Sequence, residues 1–121
     1  MTINTIFVIE DDALFAKLFV KRLEKLGAFK INHFESAEKA IDSLLVFKPE
    51  LIFLDHLLKG INGVDALPIF KEILPECLVV IVSNQLDIKV LDQAFENGAE
   101  NYFQKNALLF NYAEGLINDK I

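Results

Sequence analysis

The sequence predicts a doubly wound α/β fold, and two observations lead to this prediction. Short apolar runs alternate along the 121 residues with longer stretches in which apolar residues recur three and four positions apart. The first pattern is typical of buried strands and the second of helices that pack on a sheet. Most of the short runs are apolar on both faces, which favours a parallel sheet covered by helices on either side. The alternation therefore predicts a five-stranded parallel sheet in a (βα)5 arrangement.

Each predicted strand–helix unit begins with a strand candidate. They lie at residues 5–9, 29–34, 51–54, 78–83 and 101–104. Each is short and ends at a polar residue or a turn, as a buried strand in such a sheet should.

Four of the stretches between or after these strands carry an apolar stripe that is typical of a helix. Ser36 can cap the second helix through its hydroxyl, and Gly27 and Gly98 lie where helix ends favour glycine. The stretch 64–74 is less regular because Pro68 must either lie in the first helical turn or kink the helix. The stripes comprise Phe15, Leu18, Phe19, Leu23 and Leu26; Ala37, Ala40, Ile41, Leu44 and Leu45; Ile88, Leu91, Ala94 and Phe95; and Leu109, Tyr112, Ala113, Leu116 and Ile117.

The bulk composition indicates one domain, which we place at residues 1–121. A net charge of -6 argues against a nucleic-acid or anionic membrane surface, because phosphate binding depends on Lys and Arg. Cys77 is the only cysteine, so no intramolecular disulfide can form, and we expect a cytoplasmic protein. The N-terminus has no basic leader and the apolar runs are too short to span a bilayer, so we expect neither secretion nor membrane insertion.

Polar residues at the carboxyl ends of the strands form the candidate site, because ligands bind at that edge of a doubly wound sheet. They would bring several carboxylates, one hydroxyl and one ammonium into one crevice. In chain order they are Glu10, Asp11 and Asp12 after the first strand, Asp55 after the third, Ser83 at the end of the fourth, and Lys105 after the fifth.

Such a set suits phosphoryl transfer. Crowded carboxylates need a cation, and Mg²⁺ binds one or two carboxylates together with a phosphate oxygen. The lysine could contact a phosphoryl oxygen while a carboxylate attacks phosphorus. Asp55 is the natural nucleophile because it stands alone after the central strand. Taken singly, each acid is better explained as a surface or helix-terminal carboxylate, so only the combination supports this interpretation.

Four segments resemble the receiver domain of two-component response regulators, a flavodoxin-like module. They are VIEDD at 8–12, PELIFLDHLLKGING at 49–63, VVIVS at 79–83 and NGAENYFQK at 97–105. The resemblance covers essentially the whole chain and implies the strand order 2-1-3-4-5 with helices on both faces. It implies a signalling protein that receives a phosphoryl group from a histidine kinase or a phosphotransfer protein and that is not a turnover enzyme.

The same resemblance implies a role for each matching residue. Asp55 would be the phosphoacceptor, Lys105 and Ser83 would assist the transfer, and Ser83 and Tyr102 would form the conformational switch. Gly63 matches the glycine eight residues beyond the acceptor. The implied ligands of Mg²⁺, or of Mn²⁺ in its place, are Glu10, Asp11, Asp55 and the backbone carbonyl of Leu57. An output protein or domain would bind the fourth helix, fifth strand and fifth helix of a monomer or weak dimer.

Several positions depart from the family pattern. Lys59 replaces a common proline and adds a positive charge near the site. Asn84 replaces a small residue after the switch hydroxyl, which predicts slow phosphorylation. Asn106 replaces a proline that follows a cis bond, so the Lys105–Asn106 bond is either trans or a costly cis bond. The apolar Leu57 cannot position a water molecule, which predicts a long-lived phosphoryl group.

Other functions compete with this interpretation. A degenerate receiver would keep the fold as a phosphate-independent interaction module. A flavodoxin-like enzyme or mononucleotide-binding protein would need a phosphate-binding glycine loop, and no GxGxxG follows the first strand. A DNA-binding output would need a helix-turn-helix, for which these residues leave no room. His56 beside the acceptor could titrate near neutral pH and affect the stability of the phosphoryl group, but it is more simply a loop imidazole without a role.

Overall fold

The structure is a computed structural model and describes residues 2–120 of the chain. Within these residues, five strands alternate with five helices, as the apolar pattern predicts. The strands are β1 (Thr5–Ile9), β2 (Lys30–Phe34), β3 (Leu51–Asp55), β4 (Leu78–Ser83) and β5 (Asn101–Gln104). The helices are α1 (Ala13–Glu24), α2 (Ala37–Phe47), α3 (Gly63–Ile73), α4 (Ile88–Glu96) and α5 (Ala107–Lys120).

All strand pairs are parallel, and the sheet order is β2-β1-β3-β4-β5. The predicted fold class and strand order are confirmed. Because every strand runs the same way, all five carboxyl ends meet at one edge of the sheet. The register there pairs Ile9 with Leu54 and Asp55 with Val82, so the functional candidates start from adjacent positions.

Helices cover both faces of the sheet, because alternate strand residues point to opposite sides. On one face, side chains such as Phe7, Ile52 and Val79 pack against α2, α3 and α4. On the other face, side chains such as Phe53 and Val80 pack against α1 and α5. The central strands β1 and β3 are fully buried, whereas the edge strands β2 and β5 are partly exposed.

The predicted helix ends are partly right. The Ser36 hydroxyl accepts a hydrogen bond from the backbone N–H of Lys39 at 3.2 Å, which confirms the cap of α2. Gly98 follows α4 with φ +97°, a conformation that favours glycine. The role expected for Gly27 is wrong, because α1 already ends at Glu24. A Cβ at Gly27 would lie 2.8 Å from the Phe29 ring, so this glycine makes room for an aromatic side chain.

Pro68 lies in the second turn of α3, so the alternative that places it in the first turn is wrong. A proline has no N–H to donate to the carbonyl four residues earlier, which here belongs to Val64. The side-chain amide of Asn97 donates to that carbonyl at 3.3 Å instead. Asn97 is the C-cap residue directly after α4, so this hydrogen bond ties the end of α4 to the first turn of α3.

Some residues of the predicted apolar stripes are exposed rather than buried. Leu18, Leu45, Ile88 and Phe95 are each 46% exposed or more. In α4, Ala94 is the buried residue. The stripe therefore marks the side of a helix that faces the sheet, but not how far the neighbouring elements cover it.

Cys77 is buried, and burial raises the pKa of its thiol to about 12, in keeping with a core residue.

None of the helices in the described part of the chain combines the length and hydropathy that a bilayer span requires.

Candidate functional site

Three carboxylates meet where β1 and β3 end. Glu10 follows β1 and is 1% exposed, and Asp55 is the last residue of β3 and is 4% exposed. One carboxylate oxygen from each of Glu10, Asp11 and Asp55 lies within 4.8 Å of the others. Asp11 is exposed and leaves the cluster open to solvent on one side. Three of the predicted metal ligands are thus adjacent.

Lys105 joins this cluster from the loop after β5. Its Nζ lies 2.5 Å from Glu10 Oε1 and 3.4 Å from Asp55 Oδ2, and its side chain is only 6% exposed. The Lys105 backbone N–H donates to the Ser83 carbonyl at 2.8 Å, which fixes the start of the loop against β4. The ammonium also lies 4.9 Å from the centroid of the Phe15 ring.

The electrostatics of the cluster favour an additional cation. Burial, followed by the hydrogen bond and charge of Glu10, raises the pKa of Asp55 to about 7, although Lys105 acts in the opposite direction. Burial disfavours the Lys105 ammonium, but its hydrogen bond with Glu10 and the nearby carboxylate charges outweigh burial and raise its pKa. One ammonium therefore faces three acids. Converging carboxylate oxygens of this kind suit a hard divalent cation such as Mg²⁺ or Mn²⁺.

Asp12 belongs to the helix rather than to the cluster. Its Oδ1 accepts hydrogen bonds from the backbone N–H groups of Leu14 and Phe15, both at 3.1 Å, and so caps α1. Its own N–H donates to Glu10 Oε2 at 3.0 Å. This agrees with the prediction that Asp12 is an extra acid at the helix start.

The loop after Asp55 depends on Gly63. The Gly63 N–H donates to the His56 carbonyl at 2.9 Å. A Cβ on Gly63 would lie 2.2 Å from the Asp55 carbonyl oxygen, so only glycine allows α3 to begin this close to the acceptor strand. The resemblance to the receiver family implies a glycine at this position, and the close approach gives the physical reason.

A contribution from Glu38 was missed at the level of sequence. Its Oε2 accepts from the Ile61 N–H at 3.2 Å and so links α2 to the loop after β3. The neighbouring Gly60 adopts φ +81°. Glu38 reads as an ordinary first-turn acid of α2, and no local spacing connects it to a loop more than twenty residues away.

Ser83 and Tyr102 bind the same backbone segment. Ser83 is buried, and its Oγ accepts from the Gln85 N–H at 3.4 Å. The buried Tyr102 hydroxyl donates to the Gln85 carbonyl at 2.6 Å. The two predicted switch residues are therefore joined through Gln85, which belongs to the loop between β4 and α4.

This geometry agrees with a comparison with known families. The family model of the response regulator receiver domain matches residues 6–110. The chain belongs to this family. Receiver domains of two-component response regulators accept a phosphoryl group and interact with histidine kinases and output domains.

Individual proteins resemble this chain in sequence or in fold. A cyclic di-GMP phosphodiesterase of Thermotoga maritima is 27% identical over 84% of this receiver chain. The phosphorylated cyanobacterial phytochrome response regulator RcpA has a TM-score of 0.85 at 20% identity, covering 98% of this chain and 94% of its own. The Mn²⁺-bound response regulator Rcp1 has a TM-score of 0.79 at 20% identity, covering 93% and 91%. The chain spans 27% to 39% of the length of the first curated relatives that it matches.

The remaining receiver positions that depart from the family pattern lie around the site. No peptide bond within residues 2–120 is cis, so the Lys105–Asn106 bond is trans. Leu57 is 60% exposed, and Lys59 and Asn84 are also exposed. Burial lowers the pKa of His56, which favours a neutral imidazole beside the acceptor.

Proposed function

We propose that this receiver domain accepts a phosphoryl group on Asp55, in a Mg²⁺-dependent reaction, from a histidine kinase or a phosphotransfer protein. The observation that supports this most directly is the position of one buried carboxylate, Asp55, beside a lysine and within 4.8 Å of the carboxylate oxygens of two further acids. A buried aspartate in an acidic pocket is costly to the fold, so a role in chemistry explains it better than packing does.

In the proposed reaction, an Asp55 carboxylate oxygen forms a bond to phosphorus. The bond from phosphorus to the donor imidazole nitrogen breaks, and its electron pair stays on that nitrogen. The product is an acyl phosphate. Lys105, whose Nζ is 3.4 Å from Asp55 Oδ2, would donate to a phosphoryl oxygen, and the Ser83 hydroxyl would do so after the transfer.

The metal ligands in this proposal are Glu10, Asp11, Asp55 and the backbone carbonyl of Leu57. A bound Mg²⁺, or Mn²⁺ as in Rcp1, would offset the charge of the carboxylates and of the phosphoryl oxygens and keep Asp55 ionised at neutral pH. The raised pKa of Asp55, which results first from burial and then from Glu10, supports the need for that charge.

The signal would leave the site through Gln85. If Ser83 turns toward a phosphoryl oxygen, the Gln85 N–H loses its acceptor, and the carbonyl that holds Tyr102 shifts with it. The phosphoryl group then acts by stabilising one of two packed states. The altered surface would comprise α4, β5 and α5, and an output protein or domain would bind it.

The alternative, a degenerate receiver that ignores phosphate, is not favoured, because the acids, the hydroxyl and the lysine are all present at the strand ends.

We also propose that the domain catalyses its own phosphorylation and dephosphorylation without acting on another substrate.

The test is phosphorylation by a small donor. The protein is incubated with phosphoramidate and Mg²⁺, and its intact mass is measured beside an Asp55→Asn control and an EDTA control. We expect one phosphoryl group on the parent only with Mg²⁺ and none on the variant. A parent protein that gains no mass would contradict the proposal and favour the phosphate-independent module.

A further inference from the structure

The buried ammonium of Lys105 has a third neighbour besides its two carboxylates. The Phe15 ring centroid lies 4.9 Å from Nζ, within the range of a cation–π interaction. Because the Lys105 side chain is only 6% exposed, little water competes with the ring for this charge. The interaction is stronger under such conditions than at an exposed site.

The position of the Phe15 ring is well determined by its surroundings. The Asp12 carboxylate accepts from the Phe15 N–H at 3.1 Å, so the cap of α1 fixes the backbone. The ring stacks on Phe19 with centroids 5.7 Å apart and planes at 14°. Phe19 in turn meets Phe53 edge-on at 4.9 Å and 87°. Phe53 is two residues before Asp55 on the same strand, so this aromatic column is anchored in the strand that carries the acceptor.

An aromatic face suits this position better than a third carboxylate would. A carboxylate would engage another ammonium N–H and would repel an incoming phosphoryl group. The ring attracts the positive charge without a formal charge of its own, and it does not accept a strong hydrogen bond that a phosphoryl oxygen would have to displace.

We infer that Phe15 is a positioning residue, whose ring face holds the Lys105 ammonium where it can donate to a phosphoryl oxygen. This inference rests on the proposed function. Phe15 acts on the transfer only through Lys105, so its contribution should follow the electron density of the ring rather than its size.

The test changes that electron density at constant shape. 3,4,5-Trifluorophenylalanine is incorporated at position 15, and the Mg²⁺-dependent rate of phosphorylation by phosphoramidate is compared with those of the parent, Phe15→Tyr and Phe15→Leu. We expect Phe15→Tyr to stay near the parent rate. Phe15→Leu and the trifluorinated protein should be slower by about threefold to tenfold, the equivalent of losing one partly desolvated cation–π contact.

Phe110→Leu provides the matched control. The Phe110 ring lies under the Arg22 guanidinium in the same groove between α1 and α5. The distance from Arg22 Cζ to the centroid of the Phe110 ring is 4.3 Å. This variant removes an equivalent ring from a different cation, so we expect it to be phosphorylated at the parent rate. A second measurement is the NMR chemical shift of the Lys105 ε-methylene protons. These protons should resonate upfield of the value for an unstructured lysine in the parent and in Phe15→Tyr. In Phe15→Leu they should not.

The outcomes separate the inference from the proposed function. A trifluorinated protein that reacts as fast as the parent overturns the inference, even if Phe15→Leu is slow, because the ring would then act by packing alone. If Phe15→Leu does not fold, the near-isosteric trifluorinated protein still decides the matter. A parent protein that takes up no phosphoryl group overturns the proposed function and the inference together.

Discussion

Removing the charge of Asp55 should stabilise the metal-free protein, and the effect should depend on pH. In the folded state, burial and then Glu10 raise the pKa of Asp55 from 3.8 to about 7. Between these two values the folded protein holds a proton that the unfolded chain releases. The free energy of unfolding therefore falls as the pH rises through this window. The favourable contribution of Asp55 is complete below pH 4 and is lost above pH 7.

The size of the effect follows from the difference between the two pKa values. The shift is about 3 units, from 7 minus 3.8, and each unit corresponds to about 1.36 kcal/mol, so the limit is about 4 kcal/mol. Little of this is screened by solvent, because Asp55 is only 4% exposed. An asparagine imitates the protonated carboxyl at every pH. We expect Asp55→Asn to gain about 2 to 4 kcal/mol at pH 8.5 and less than half of that at pH 5, where the unfolded chain has already released most of its Asp55 proton.

The assay is urea denaturation followed by circular dichroism in EDTA at both pH values. Asp92→Asn removes an exposed acid of α4 and is the matched control, with little change expected at either pH. A gain in Asp55→Asn that is equal at pH 5 and pH 8.5, or a loss of stability at pH 8.5, would refute the electrostatic reasoning. Adding Mg²⁺ at pH 8.5 should stabilise the parent more than Asp55→Asn and so narrow the difference.

Three further variants test other contacts. Gly63→Ala places a methyl group 2.2 Å from the carbonyl oxygen of Asp55. We expect the free energy of unfolding, measured by urea denaturation, to fall by about 1 to 3 kcal/mol and Mg²⁺ binding, measured by calorimetry, to weaken. Parent-like values in both measurements would contradict the close approach. Asn97→Ala leaves the Val64 carbonyl without its donor and should cost about 1 kcal/mol by the same denaturation assay. The cost should shrink in a Pro68→Ala background, which restores a backbone N–H, and an unchanged cost there would exclude this explanation. Leu57, which is exposed, is replaced by asparagine, and the decay of the acyl phosphate is followed by intact mass after the donor is removed. Leu57→Asn should shorten the lifetime of the acyl phosphate severalfold, whereas Leu57→Met should preserve it. Equal decay rates in the two variants would count against a role for an apolar side chain at this position.

The pattern of apolar residues determined most of the fold. Strands that are apolar on both faces and alternate with helices suit a parallel sheet between two layers of helices, in which all the carboxyl ends meet at one edge. The convergence of Glu10, Asp55 and Lys105 could be predicted for that reason, since each lies at or directly after a strand end that the sequence indicates. Their chemical roles stay predictions until phosphorylation is measured.

The tertiary structure alone decided which surfaces are covered and which distant groups touch. Periodicity places Ile88 on the inward side of α4, but it cannot show that no neighbouring element covers this residue, which is 62% exposed. The hydrogen bond from Asn97 to Val64 and the contact of Phe15 with Lys105 join separate elements. Such contacts depend on how helices are seated on the sheet, and local sequence patterns carry no information about that seating.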